Sequence, residues 1–190
     1  MTLRPLLFAT LLLFGLGACA TTDGGGPAAD GGVAVGGGSM SPDLDLMTNL
    51  RAVPDFSTLV GLLDASGLST TLQGEGPFAL FAPTDAAFAA LPAGTLDKLA
   101  DPANRDALVR LLDYHLVEAR LDTRAMIGAM ELGQGRATVT TLADAPIVVQ
   151  GRDADHLAMV DGQGNIAQVT QHDVMQANGV LHVIDAVLQP

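Results

Sequence analysis

Tryptophan is absent from the 190 residues, cysteine and tyrosine occur once each, and 21 acidic residues face only nine Lys and Arg. Each shortage excludes something. With one Tyr and six Phe, the chain has few aromatic platforms on which bases or sugars stack. The lone cysteine, Cys19, permits no intrachain disulfide and no cysteine-built metal site. A formal net charge of −12 repels phosphate backbones and anionic headgroups, which argues against nucleic-acid binding and against electrostatic docking on a membrane. What the chain does have is apolar material: 48% of residues are hydrophobic and 16% charged, a composition that builds a packed core.

The first eighteen residues read as a leader. One arginine, Arg4, precedes the apolar run Leu6–Leu16, which is too short to span a bilayer at the roughly 20 residues a helix needs. Leu16-Gly17-Ala18-Cys19 resembles the lipobox of bacterial lipoproteins, in which the cysteine takes the lipid and becomes the mature N-terminus. That resemblance implies a diacylglyceryl thioether, usually with an N-acyl chain, and such multiple acyl chains anchor stably where one does not. Ala20 stands where an Asp would favour the inner membrane, so the expected location is the outer membrane, on its periplasmic or cell-surface face.

Residues 19–42 then read as the lipidated cysteine and a flexible tether. Eight of the 23 residues from Ala20 to Pro42 are glycine, with no period of 2 or 3.6, and a coil of that length reaches about 26 Å. From Asp43 the texture becomes regular. Phe56, Leu59, Val60 and Leu63 follow helical spacing, with Gly67 as the stop. Phe78–Ala82 predicts a buried strand closed by Pro83, and Thr84 caps a helix through Phe88. Asp106–Leu112 repeats the helical pattern. After Tyr114 short strands are expected at Ala137–Thr141, Ile147–Gln150, Leu157–Val160, Asn165–Thr170 and Val180–Ile184. Helices first and strands later predict one α+β domain over 43–190, large enough to fold as a monomer without staples.

Catalytic templates fail on this sequence. There is no G-x-S-x-G, no phosphate-binding G-K-[ST] and no H-E-x-x-H. Asp153-Ala154-Asp155-His156 opens like a calcium loop, but Leu157 and Ala158 occupy the positions that need an oxygen ligand and a glycine, so a hairpin turn is expected. His115 and His182 sit in apolar runs and read as core residues, whereas His156 and His172 read as solvated. The acids, 18 of them Asp, suit caps and turns better than a catalytic pair. No enzyme, cofactor or metal is expected.

Three ordered blocks carry a family likeness. Pro77-Phe78-Ala79-Leu80-Phe81-Ala82-Pro83-Thr84-Asp85-Ala86-Ala87-Phe88 resembles the first conserved block of the fasciclin domain family, and Asn178-Gly179-Val180-Leu181-His182-Val183-Ile184-Asp185 resembles the second. Between them Leu112-Asp113-Tyr114-His115-Leu116-Val117 is similar to the family's Tyr-His segment, and Asp55-Phe56-Ser57-Thr58-Leu59 to its entry helix. The resemblance implies short strands in a wedge-like pair of sheets with helices alongside, an extracellular adhesion or interaction role, and no catalysis. In animal members recognition is assigned to an Asp-Ile pair before the second block and to the Tyr-His segment. The matching positions here are Asp173 and Val174, and Tyr114 and His115. Pro83, Thr84, Asp85, Asn178, Gly179 and His182 carry structural duty in this reading: strand end, helix start, turn and core.

The resulting expectation is a lipid-anchored adhesion module for a protein or polysaccharide on a cell surface or matrix. The alternative is a periplasmic binding protein for a small ligand or polysaccharide. A deep apolar pocket with converging polar groups would favour the alternative.

Overall fold

The computed structural model describes residues 32–190. The leader 1–18, Cys19 and the first part of the tether lie outside the described residues.

The described end of the tether is folded. Val33–Val35 (β1) and Gly38–Met40 (β2) pair antiparallel across a Gly36–Gly37 turn. Gly36 takes φ +51°, and a Cβ there would run into the Asp55 carboxylate, so this glycine serves a tight turn. Val35 and Met40 are buried in the core. Gln171 donates to the Ala34 carbonyl at 2.9 Å, and the buried Asn49 amide exchanges two hydrogen bonds with the Ser41 backbone at 2.8 and 2.7 Å. The expectation of flexible chain up to residue 42 is therefore corrected: two apolar side chains and a few backbone bonds dock this Gly-rich stretch, and the folded unit begins at Val33.

Helix α1 (Leu46–Ala52) starts on Asp45, whose carboxylate accepts from the Thr48 amide and hydroxyl at 2.8 and 2.7 Å. A 3-10 turn at Pro54–Phe56 leads into α2 (Ser57–Ser66), which buries Leu59, Leu62 and Leu63 and stops at left-handed Gly67, as the spacing predicts. After α3 (Ser69–Leu72) the chain enters β3 (Phe78–Pro83), then α4 (Asp85–Ala89), α5 (Thr95–Ala100), α6 (Arg105–Asp113) and the short β4 (Leu116–Val117). Helix α7 (Thr123–Leu132) interrupts the region read as strands. Asp122 caps it by accepting from the Ala125 amide at 2.8 Å, and it buries Thr123, Met126 and Met130. Strands β5 (Arg136–Thr140), β6 (Pro146–Gly151), β7 (Leu157–Val160), β8 (Ile166–Gln176) and β9 (Gly179–Ile184) complete the described chain.

The architecture is α+β. Seven strands lie in the order β4-β3-β9-β8-β7-β6-β5, with β8 at the centre, β3 and β9 parallel beside it and every residue of those two buried. On β9, Leu181 and Val183 face one apolar cluster with α1, α2 and α6, while Val180 and Ile184 face a second with α7, as a period of two requires. The first half of β8 pairs with β7 and the second half with β9, with register shifts between Val169 and Val174. The two halves of the wedge thus share one bent strand. That strand is also longer than the Asn165–Thr170 reading, and it takes in His172, Asp173 and Val174, so His172, expected to be solvated, is a half-buried strand residue.

A chain beginning at Asp43 should be less stable than one beginning at Gly32 by about 3–6 kcal/mol, the worth of burying two apolar side chains. Urea midpoints measure this, and equal midpoints would show that the hairpin contributes nothing.

Candidate functional site

The Tyr-His segment is an internal clasp. Tyr114, which is fully buried, donates its hydroxyl hydrogen to the Pro146 carbonyl at 2.8 Å and accepts from the Gly162 amide at 2.9 Å. Burial pushes its phenol above the ordinary range. His115 bridges Leu111 and Leu188. The Leu188 amide can only donate, so Nε2, at 3.0 Å, is the acceptor; Nδ1 then carries the proton and donates to the Leu111 carbonyl at 2.7 Å. Complete burial drops its pKa to about 4, and the ring is neutral. Both side chains were candidates for recognition, and neither presents a contact surface in the folded protein.

Asp173 and Val174 part company. Val174 is buried and pairs with Leu181 of β9, so its side chain presents no contact surface in the folded protein. Asp173 is half-exposed at φ +54°, in the register shift of the β8–β9 ladder between Gln171 and Val174. Its Oδ1 accepts from the Thr123 amide at 2.7 Å, placing a second carboxylate at the start of α7 beside the Asp122 cap. Burial opposes its charge, but the Thr123 hydrogen bonds outweigh that and hold the carboxyl below the usual range. Its own amide donates to His182 Nδ1 at 3.4 Å, and His182 Nε2 donates to the Leu121 carbonyl at 2.8 Å. His182 is fully buried, stacked on Phe81 with centroids 5.5 Å apart, and held below its ordinary pKa by burial. The two buried histidines are therefore neutral in opposite tautomers, each set by the one amide that reaches it.

The remaining block residues fasten distant elements. Pro83 is the last residue of β3, and Thr84 caps α4 by accepting from the Ala87 amide at 3.4 Å. Asp85 was expected to serve that same helix start. Its carboxylate instead reaches back to α2, accepting from the Ser57 hydroxyl at 2.6 Å and the Thr58 amide at 2.8 Å. Asn178 accepts from the Leu46 amide at 3.0 Å and donates to the Leu72 and Gly74 carbonyls at 2.7 and 2.9 Å. The hairpin turn is Ala177–Asn178, and Gly179 already pairs in β9, where a Cβ would meet the Phe78 carbonyl at 2.2 Å. Sequence reasoning passed over Asp161. It gathers the Gln163, Asn165 and Gln189 amides at 2.8–3.0 Å and so ties the C-terminal segment to the β7–β8 turn.

Exposed chemistry is sparse. Ala154–His156 is a 3-10 turn with His156 Nδ1 2.6 Å from Asp153, and among the described residues no three His, Cys, Asp or Glu side chains are grouped to hold a metal. An open groove of about 470 Å³ is lined by Asp45, Glu75, Arg120 and Asn178. A smaller apolar cleft of about 270 Å³ lies among Leu91, Leu99, Leu111 and Val187. No helix among the described residues is long and apolar enough to cross a membrane.

The profile of the family described as "Fasciclin domain" matches residues 54–190. Over 137 residues the chain is 41% identical to Protein sll1483 of Synechocystis sp., covering 71% of this chain and 67% of that protein. It is 35% identical over 136 residues to Transforming growth factor-beta-induced protein ig-h3 of Sus scrofa, covering 71% of this chain but only 18% of the relative. In structure it is similar to the FAS1 domain pair of the insect cell adhesion molecule fasciclin I, with a TM-score of 0.60 and 19% identity. That match covers 77% of this chain and 51% of that one.

Two measurements check this picture. His115 binds its proton more weakly in the native than in the unfolded chain, so stability should be full above about pH 6.5 and fall as pH drops towards 4, by about 3 kcal/mol at 1.36 kcal/mol per unit. In His115→Gln that slope should flatten, leaving what His182 and the capping aspartates contribute; an unchanged slope would contradict the neutral clasp. Asp173→Ala should lower stability by about 0.5–2 kcal/mol as a lost cap, and an unaltered melting curve would show that the Thr123 bond carries no weight.

Proposed function

We propose, from the premise that this chain belongs to the Fasciclin domain family, that it is an extracytoplasmic adhesion or interaction module held to the membrane by lipid on Cys19. Its partner in this reading is a protein or polysaccharide on a cell surface or in a matrix, and the outer membrane is its location. The observation that carries the reading is the match to a domain pair from a cell adhesion molecule, over a chain that begins with a lipobox-like leader. The internal bonding supports it: Tyr114, His115 and His182, the side chains most able to do chemistry, are spent on holding the fold. A periplasmic binding protein for a small ligand or polysaccharide is the second reading. It is favoured by the polar groove beside Asn178, where Arg120 and the carboxylates of Asp45 and Glu75 offer donors and acceptors to hydroxyl groups.

Beads coated with the mature protein should retain cells, matrix protein or polysaccharide above beads coated with an equally acidic control. Retention no better than the control for all three would sink the adhesion reading. Cys19→Ser should abolish incorporation of labelled fatty acid, and label persisting on that variant would refute the anchor.

A further inference from the structure

The geometry points to a face on which two copies of this chain pair, sheet against sheet. It goes beyond the adhesion reading and is independent of it, since paired heads need no adhesive partner.

The half-sheet β5–β8 packs its inward side chains against the α7 cluster. On its other side Arg136, Thr138, Ile166 and Gln168 are exposed. The strand registers put Thr138, Val148, Val160 and Ile166 in one outward row; Thr138 and Ile166 are exposed and the two valines half-buried. The next row runs Arg136, Gln150, Ala158, Gln168, and the β8–β9 register extends it to Asp185, whose carboxylate accepts from the Gln168 amide at 2.7 Å. On a molecule of net charge −12, this row has one cation at one end and one carboxylate at the other. Neither Arg136 nor Asp185 has a salt-bridge partner among the described residues.

That arrangement is self-complementary. A two-fold axis laid along β7 places β5 over β9 and β6 over β8 of a second copy. Arg136 then stands opposite the second copy's Asp185, and Asp185 opposite its Arg136. Val148 faces Ile166 and Val160 faces its own equivalent; Ala158 in the next row is already buried in each copy and adds no surface. Two copies repel across the rest of an acidic surface, and this face replaces repulsion with two attractions. Five strands at about 4.8 Å spacing make the row only about 19 Å wide. The face is therefore smaller than the ~800 Å² per partner of a standard interface. Pairing should be weak in dilute solution and strengthen where heads are concentrated, as on a membrane.

The test uses the full chain in the envelope of cells that express it. Val160→Cys, on the axis, should form a disulfide-linked dimer at least tenfold faster than Ala93→Cys, an exposed position off the sheet. The parent chain serves as the control for Cys19 itself. Adding Arg136→Glu or Asp185→Arg to Val160→Cys should abolish the dimer. Co-expressing the two charge variants should restore it, because a mixed pair regains opposite charges at both ends. Val148→Cys and Ile166→Cys, co-expressed, should cross-link to each other, which keeps the test open if Val160→Cys fails to fold. Cross-linking no faster than at Ala93, no rescue in the mixture, or capture of a different protein in place of a second copy would each overturn the pairing.

Discussion

Strand β8 leaves β7 after Gln168 and pairs with β9 from Val169 on, but that second ladder slips register between Gln171 and Val174, where Asp173 takes φ +54°. At a bulge the ladder is broken and a backbone amide is left over. Here the Asp173 amide finds His182 Nδ1, while the Asp173 carboxylate swings to the first turn of α7. The same residue therefore bends the sheet, orients the buried histidine and docks the helix that closes the second cluster. In a segment that resembles a recognition pair, this aspartate is first of all a joint.

Carboxylates do comparable work elsewhere. Asp45 starts α1, Asp85 starts α2 from a distance, Asp122 starts α7, and Asp161 collects the turn after β7 together with the C-terminal segment. For Asp45, Asp85 and Asp161 burial opposes the charge and hydrogen bonds more than offset it, so each carboxyl lies below its ordinary pKa. Groups shifted down in this way stabilise the fold above their unfolded pKa and lose that contribution as pH falls. Asp113 is the exception, with burial alone raising its carboxyl. Much of the negative charge is thus spent as caps and turn anchors, which is how a small domain without disulfides holds many short elements.

What could be read along the chain was what is local. The strand Phe78–Pro83, the Thr84 cap, the stop at Gly67 and the two-residue period of β9 all follow from neighbours in sequence. Helix α7 was legible in part: Asp122 is a sound cap and Met126 and Met130 stand four apart, but Gly128 and a Met-rich face blurred the apolar stripe. The β1–β2 hairpin was hidden by its glycines, because composition reports backbone freedom and not the docking site that removes it. The helix served by Asp85, and the burial of Tyr114 and His115 behind Pro146, Gly162 and Leu188, depend on partners far away in sequence. No local pattern names them.

The clasp between His115 and Leu188 also puts a demand on the main chain of the segment after β9. Leu188 and Gln189 deliver their amides to His115 and to Asp161, two acceptors in the interior of the domain. Both donors are backbone groups, so a proline at either position, and no other substitution, would strand a buried imidazole nitrogen or a carboxylate oxygen. Position 188 is thus guarded twice, by a side chain that the core encloses and by a main-chain hydrogen that only one of the twenty residues fails to supply.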